Sequence, residues 1–241
     1  MHFKSFVRLG LLILLCSLAG AIGCKTNPAA PAVAQEQSVR PGANAEYLKP
    51  DLNVDQWVER FEKGGREIYD HRQEIVRAAK IRPGSAVADI GAGTGLFEPL
   101  LAQAVGAAGK VYAVDIVPKF LDHIRERANK AGLHNVETVL ATDRSVQLPA
   151  NSVDLVFICD VYHHFEYPQS ELASIHRALR RGGQIFLIEF KREPGQSSAW
   201  TLQHVRAGQE TFTHEIESAG FQKTEDIPLL RENYILRFRK N

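Results

Sequence analysis

Two kinds of apolar run alternate along the chain from residue 53 onward. Short runs rich in Val, Ile and Leu are typical of buried strands, whereas apolar positions three and four residues apart indicate one face of a helix. The strand-like runs are 86–90, 110–115, 136–140, 153–159 and 184–190, and helical runs at 96–104, 118–131 and 170–180 separate them. This alternation predicts an α/β domain with a parallel sheet covered by helices on both faces.

The pattern changes at both ends of this core. Two amphipathic helical stretches precede it, at 54–61 and 68–79, and Gly64-Gly65 separates them. Helices in this position often pack over a ligand-binding edge, so Arg66, Tyr69 and His71 are candidate ligand contacts, with a solvated helix face as the alternative. After the core, a helical stretch at 200–219 with a break near Gly208 precedes two strands at 224–230 and 234–240. Such a hairpin adds an antiparallel strand to an otherwise parallel sheet.

The first 23 residues have the pattern of a targeting segment. Lys4 and Arg8 give a positive start, and the 15 residues from 9 to 23 carry no charge. That run is shorter than the roughly 20 residues of a membrane-spanning helix. Ala21-Ile22-Gly23-Cys24 resembles a bacterial lipobox, which implies cleavage before Cys24, a lipid on Cys24, and a membrane-anchored protein exported to the periplasm or cell surface. The alternatives are a secreted protein cleaved after Ala19 or Ala21, and a buried core helix.

Proline punctuates the next stretch and predicts a flexible tether over 24–50. The remaining residues, 51–241, form the predicted domain, with N-terminal helices at 51–80 and the core at 84–241.

Composition narrows the possible partners. The chain has 241 residues, 44% hydrophobic and 24% charged, which suits one globular domain with a full core. Its net charge is +1, and loss of residues 1–23 leaves 27 basic against 28 acidic residues. A basic block with interleaved aromatic residues is missing, so nucleic acid is not an expected partner. The nine histidines lack a ligand spacing such as HExxH, so we predict no metal site. The sequence leaves the oligomeric state open.

A glycine-rich turn follows the first strand. Asp89 lies in the strand, and Gly91, Gly93 and Gly95 precede a helical run that starts at Leu96. Glycine admits positive φ and lets a ligand approach the backbone, while a helix N-terminus favours an anionic group. A dinucleotide fingerprint G-x-G-x-x-G would have glycine where Leu96 stands, so a nicotinamide-dependent oxidoreductase is disfavoured.

Asp115 ends the second strand, 20 residues after Gly95. A carboxylate at this position accepts hydrogen bonds from both hydroxyls of a ribose and repels a 2′-phosphate. We therefore predict that Asp115 binds the ribose of a nucleoside.

The motifs VADIGAGTG, VYAVDI, LPANSVDLVFICDVYHHF and LRRGGQIFLIEF together resemble a class I S-adenosylmethionine-dependent methyltransferase. The resemblance covers about residues 68–240 and is greatest to the group that includes the ubiquinone/menaquinone C-methyltransferases. It implies a Rossmann-like sheet of seven strands in the order 3-2-1-4-5-7-6, with strand 7 antiparallel. It also implies S-adenosyl-L-methionine as the cofactor.

The same resemblance assigns roles along the cofactor. Asp89 and Gly91 hold its methionine end, and Gly93 and Gly95 let the backbone approach. Asp115 binds the ribose hydroxyls and Ile116 packs on adenine. Thr142 or Asp143 binds the adenine amino group, with Asp143 favoured, and Asp160 faces the cofactor's amino group and the methyl acceptor.

The segment DVYHHF, residues 160–165, follows strand 4 and borders the crevice at the carboxyl ends of the strands. His163 is the candidate base for the acceptor, because an imidazole suits proton transfer near neutral pH. Its neighbour His164 is the other candidate base, but adjacent residues do not both point one way, so at most one of the two reaches the acceptor. Glu189, at the end of strand 5, is a candidate to line the pocket, with a cap on the following loop as the alternative. A structural histidine is the alternative reading of His163.

Two features of the sequence narrow the class of methyl acceptor. DVYHHF lacks the proline pair of methyltransferases that act on adenine or cytosine amino groups, and the chain has no long recognition insertion. We therefore expect methyl transfer to O, C or N of a small molecule. The lipobox motivates an alternative, an exported non-catalytic binding protein on a methyltransferase scaffold.

Overall fold

The computed structural model describes residues 1–2 and 35–241. Within them lie seven strands: β1 (Ala86–Ile90), β2 (Lys110–Asp115), β3 (Val136–Leu140), β4 (Val153–Cys159), β5 (Leu179–Phe190), β6 (Phe221–Asp226) and β7 (Asn233–Lys240). The helices are α1 (Val54–Phe61), α2 (Glu67–Asp70), α3 (Arg72–Ala78), α4 (Glu98–Val105), α5 (Pro118–Lys130), α6 (Pro168–Ala178), α7 (Ala199–His204) and α8 (Gln209–Ser218). A 3-10 turn, Tyr162–His164, follows β4.

All seven strands form one sheet in the order β3-β2-β1-β4-β5-β7-β6. β7 runs antiparallel to both of its neighbours, and the other pairs are parallel. This confirms the predicted Rossmann-like fold. The order of the strands reverses between β1 and β4, since β2 and β3 continue from β1 to one side and β5 continues from β4 to the other. A crevice opens at this point, at the carboxyl ends of the strands.

The sheet is covered on both faces by apolar helix surfaces. On one face, Leu172 of α6 and Phe212 of α8 pack over β4, β5 and β7. On the other, Ile75 of α3 and Leu101 of α4 pack over β1 and β4. Because both faces are buried, the central strands carry continuous apolar runs rather than alternating ones.

The last hairpin begins earlier than predicted. β6 occupies Phe221–Asp226, whereas the sequence pattern placed this strand at 224–230. Ile227, Leu229 and Leu230 produced that apolar pattern, but they lie in the loop after β6 and pack into the core from there. An apolar run indicates that its residues are buried. Residues of a buried loop produce such a run just as residues of a strand do.

Residues 36–50 are part of the domain. The compact unit starts at Glu36 and therefore includes residues 36–50, which the sequence pattern assigned to the tether over 24–50. The Glu36 carboxylate accepts hydrogen bonds from the N–H groups of Gln169 and Ser170, both at 2.8 Å, in the first turn of α6. We call residues 36–50 the strap. Four prolines suggested an extended linker, but the half-buried Glu36 carboxylate caps α6 and so holds the start of the strap against the domain.

The targeting segment at 1–23 and Cys24 fall almost entirely outside the described residues. Among the residues that are described, no helix has the length and apolar character to cross a bilayer.

Candidate functional site

The turn after β1 brings the backbone close to β2 and β4. The N–H groups of Gly91 and Ala92 both donate to the carbonyl of Val114, at 2.7 and 3.1 Å. Gly91 has φ +71°, and a Cβ there would overlap the side chain of Val161. Gly93 has φ +56°, but a Cβ there would meet nothing nearer than the Phe61 ring at 3.7 Å. Packing therefore requires Gly91, whereas Gly93 faces an open space.

Asp115 lies at the end of β2 beside this turn. Its carboxylate accepts hydrogen bonds from the N–H of Gly93 and the N–H of Val117, each at 2.8 Å. Burial raises the pKa of Asp115 to about 6, and the two N–H donors oppose that rise. Each carboxylate oxygen retains a lone pair, so the group is able to accept further hydrogen bonds from a ligand.

The first cavity opens over Asp115 and has a volume of about 720 Å³, which includes space open to solvent. Its walls are mainly apolar, and its polar positions are few, which is the usual character of a small-molecule site. The lining includes Asn44, Tyr47, Phe61, Ile90, Gly91, Gly93, Val114, Asp115, Ile116, Val117, Phe120, Ala141, Thr142, Asp143, Val146, Val161, His164, Phe165 and Glu171. Three carboxyl groups, those of Asp115, Asp143 and Glu171, thus line a largely apolar slot. Gly95 does not line it: its Cβ would approach Ile124 of α5 to 2.9 Å.

The strap forms one wall of the first cavity, which sequence reasoning did not foresee. Tyr47 packs edge-on against His164, with ring centroids 5.3 Å apart, and tilted against Trp57 at 4.7 Å. Asn44 donates a hydrogen bond of 3.1 Å to the carbonyl of His164. The strap is therefore held to the 3-10 turn, and its residues Asn44 and Tyr47 line the cavity.

Asp89 is buried in β1, where it pairs with Ala113 of β2 and Phe157 of β4. It lines neither the first cavity nor the second cavity described below. Burial, with the nearby carboxylates of Glu98 and Asp115, raises its pKa well above the ordinary value. Its assignment to the methionine end of a cofactor stays a prediction.

A second, larger cavity of about 1810 Å³ adjoins the first and shares Phe61 and His164 with it. Asp160 lines this second cavity, where its carboxylate binds Arg66 Nη2 and Asn233 Nδ2, each at 2.6 Å. Burial raises the pKa of Asp160 to about 6, against the opposing charge of Arg66. Arg66 thus contacts the site as its position before the sheet suggested, whereas Tyr69 and His71 line neither cavity.

His163 lies in the wall of the second cavity and is 1% exposed. Its Nδ1 is 2.8 Å from Oε2 of Glu189, which also accepts the His163 N–H at 3.2 Å. Burial lowers the pKa of His163 to about 4 and raises that of Glu189 to about 8. Nε2 of His163 is buried and has no hydrogen-bond partner among the described residues. The imidazole is therefore neutral near pH 7 and has one ring nitrogen free.

His204 of α7 completes this wall, and no sequence signal pointed to it. Its ring centroid lies 5.0 Å from those of both His163 and His164, and Trp200 stacks on its other side at 4.4 Å. Forty residues separate His204 from the DVYHHF segment, so only the fold brings them together.

Comparisons with known proteins show which fold and which family model the chain resembles. The fold resembles the crystal structure of an S-adenosylmethionine-dependent methyltransferase from Aquifex aeolicus, with a TM-score of 0.70 and 23% identity over 78% of this chain and 98% of that one. Residues 88–187 match a family model described as a methyltransferase domain. The domain has the class I methyltransferase fold.

Two curated relatives resemble part of this methyltransferase domain. A ubiquinone/menaquinone biosynthesis C-methyltransferase from Hydrogenovibrio crunogenus is 30% identical over 122 residues, 50% of this chain and 48% of the relative. A demethylmenaquinone methyltransferase from Listeria welshimeri is 29% identical over 118 residues, 49% of this chain and 50% of the relative. The chain thus spans about half the length of these relatives. The matches are therefore a similarity, over about half of the chain, to the class I S-adenosylmethionine-dependent superfamily.

That superfamily implies S-adenosylmethionine as the cofactor, and the first cavity of the methyltransferase domain fits it. A nucleoside needs an acceptor for its sugar hydroxyls, an apolar slot for its base and an acceptor at the base edge. Asp115, the side chains around Ile116, and Asp143 supply these three features in that order.

Proposed function

We propose that this protein is an S-adenosylmethionine-dependent methyltransferase that acts on a small-molecule acceptor. The observation that supports this most strongly is the position of Asp115. Its carboxylate lies on the floor of the first cavity, hydrogen-bonded to the glycine turn, with a second cavity open alongside. One cavity suits a nucleoside cofactor and the other leaves room for an acceptor of up to moderate size.

The cofactor, when bound, supplies an activated methyl group on sulfur. The chain's own task is then to align the acceptor and exclude water. We assign the ribose hydroxyls to Asp115, close approach of the cofactor to the backbone at Gly91 and Gly93, and the base to the slot beside Ile116. The strap, through Tyr47, closes this cavity against solvent.

On the acceptor side we assign Asp160 and His163. Asp160 is held in place by Arg66 and Asn233, so its orientation is fixed before any ligand arrives. His163 is held by Glu189, and its Nε2 is available to accept a hydrogen bond from an acceptor O–H or N–H. Whether the methyl goes to O, C or N depends on the acceptor, which a turnover screen against metabolites would identify.

Calorimetric titration of the purified full chain with S-adenosylmethionine tests the proposal. We expect binding, and a loss of about 10- to 100-fold in affinity for Asp115→Ala, because hydrogen bonds to a charged group contribute about 1.5–3 kcal/mol. Asp122→Ala is the matched control, since Asp122 lies exposed on α5 and contacts only Arg125. Wild-type protein that fails to bind millimolar cofactor would refute the proposal.

For location, we propose a membrane-anchored protein, exported through the leader and held by a lipid on Cys24. The support is the sequence alone: the positive start, the uncharged run and the lipobox-like Ala21 to Cys24.

A further inference from the structure

Three imidazoles meet in the wall of the second cavity. Each of His163, His164 and His204 offers one ring nitrogen, and these three nitrogens all lie within 4.8 Å of one another. A buried ring nitrogen that lacks a partner loses its hydrogen bonds to water, so buried imidazoles ordinarily have a partner at each ring nitrogen.

The hydrogen bonds behind two of these rings fix which nitrogen faces inward. Nδ1 of His164 lies 3.2 Å from the carbonyl oxygen of Ala43, and a carbonyl only accepts, so Nδ1 carries the proton. Nδ1 of His163 lies 2.8 Å from Glu189, whose oxygens also accept two backbone N–H groups. In His164 the nitrogen left with a free lone pair is therefore Nε2, and in His163 it is Nε2 when Nδ1 donates to Glu189.

A metal-binding histidine is usually oriented in this way. Its second ring nitrogen donates to a carboxylate or a backbone carbonyl, which fixes the tautomer and strengthens the ligand. His163 has the carboxylate partner and His164 has the carbonyl partner. Nε2 of His163 is moreover buried without a partner among residues 35–241.

We propose that His163, His164 and His204 bind a divalent transition-metal ion of the zinc type. Three imidazole ligands with a fourth position open to a cavity are the donor set of catalytic zinc sites. Here the open position faces the second cavity, because His163, His164 and His204 all line it.

Metal binding requires a modest closure of the three rings. Tetrahedral zinc with bonds of about 2.0–2.1 Å holds its ligand nitrogens about 3.3 Å apart. His163 is buried in the 3-10 turn, whereas His204 is half-buried on the six-residue helix α7. The approach therefore falls mainly to His204 and the helix that carries it.

The charges around the site include both signs. Asp160 brings negative charge to His163 and Glu46 brings it to His204, while Arg40 brings positive charge to both rings, Arg206 to His163 and Arg60 to His204. The Arg40 guanidinium donates to the His204 carbonyl, so it also anchors the end of α7.

The role of the metal toward the methyl acceptor rests on the proposed methyltransferase function. Under that function, the open position of the metal lies on the acceptor side. A hydroxyl or carboxylate oxygen of the acceptor is the class of ligand it would bind. His163 then holds the metal rather than a hydrogen bond to the acceptor.

Metal titration of the chelator-stripped full chain tests the site without any activity assay. We expect one Zn²⁺ per chain by calorimetry and elemental analysis, and the visible absorption of tetrahedral cobalt when Co²⁺ is used instead. His204→Ala should weaken Zn²⁺ binding by about 10- to 100-fold and abolish the cobalt absorption. His214→Ala, which removes an exposed histidine from α8, should leave both unchanged.

Equal Zn²⁺ affinity in wild type and His204→Ala, or no stoichiometric binding by the wild type, would overturn the metal site. If His204→Ala does not fold by circular dichroism, His164→Gln serves with the same readouts. Cofactor titration of the same metal-free samples separates the two proposals: cofactor binding without Zn²⁺ binding refutes only the metal site, and the converse refutes only the methyltransferase.

Discussion

The carboxylate of Asp115 accepts a hydrogen bond of 2.8 Å from the N–H of Gly93, 22 residues earlier in the chain. This bond ties the end of β2 to the turn that follows β1. The two sides of the first cavity are therefore fixed relative to each other before a ligand enters. A preformed site of this kind avoids the ordering cost that a flexible loop would add to binding.

Gly91 is the position in this turn where a side chain is least tolerable. In Gly91→Ala the new Cβ overlaps Val161, and φ is positive. We expect a loss of about 2–5 kcal/mol of unfolding free energy, the sum of overpacking and left-handed strain. Urea unfolding measures it. Gly132→Ala is the matched control, because φ is +67° there but a Cβ meets nothing within 4 Å. An equal loss in both variants would mean that the clash with Val161 contributes nothing.

The sequence pattern was sufficient to predict the glycine turn and the positions of the central strands, whereas their order in the sheet was implied by the family resemblance. Apolar runs and turn glycines act over a few residues, so the β1 turn and Asp115 were identified from local pattern alone. β7 was placed correctly for the same reason. The error in β6 arose because Leu229 is partly buried and Leu230 is buried, although neither lies in a strand.

What the sequence missed depends on contacts between distant segments. Glu36 reads as one polar residue in a proline-rich stretch, yet it caps α6 more than 130 residues away. His204 likewise shows no relation to His163 until the fold places their rings 5.0 Å apart. Rules based on sequence spacing detect residues that act together within one helix or loop. Glu36 and α6, and likewise His204 and His163, belong to separate elements, so such rules do not connect them.

Glu98 should make the stability of the protein depend on pH. Both carboxylate oxygens of this buried residue lack hydrogen-bond partners among the described residues, and burial raises its pKa to about 8. The folded state therefore retains a proton that the unfolded chain releases above its ordinary pKa of 4.5. Unfolding free energy should fall as pH rises from 4.5 toward 8, by up to about 1.4 kcal/mol per pH unit.

Glu98→Gln tests this account, because an amide does not titrate. The variant should show a shallower decline of unfolding free energy with pH, the remaining slope coming from the other buried carboxyl groups whose pKa is raised, namely Asp89, Asp115, Asp160, Glu171 and Glu189. Glu59→Gln, at an exposed position of α1, should retain the wild-type slope. An unchanged slope in Glu98→Gln would show that Glu98 is ionised in the folded protein.

Asp143 and Thr142 both line the first cavity. We predict that Asp143 is the adenine contact. The Thr142 hydroxyl already accepts a hydrogen bond from the N–H of Arg144 at 3.3 Å, whereas no described residue donates to the Asp143 carboxylate. Asp143→Ala should reduce S-adenosylhomocysteine affinity about tenfold and remove its preference over the inosine analogue. Thr142→Val should change neither value. The reverse result, measured by calorimetry, would assign the base contact to Thr142.

Tyr47 should contribute to cofactor affinity through the strap. Its ring lies between Trp57 and His164 and forms a wall of the first cavity. Tyr47→Ala removes that wall and admits water, so we expect a loss of about tenfold or more in cofactor affinity, by analogy with other aromatic anchors. Leu48→Ala, whose side chain is 54% exposed, is the control within the same strap. Equal affinity in both variants would show that the strap covers no part of the bound cofactor.

The proposed lipid anchor has a control built into the sequence, since Cys16 and Cys24 lie eight residues apart in the same leader. A lipobox uses the cysteine at its end, so Cys24→Ala should abolish incorporation of labelled palmitate and release the protein from washed membranes. Cys16→Ala should retain both properties, because Cys16 lies inside the apolar run. A single acyl chain binds a membrane only weakly, so full retention after a salt wash requires the multiple chains of a lipoprotein. Membrane retention unchanged in Cys24→Ala would instead indicate an uncleaved leader or a peripheral attachment.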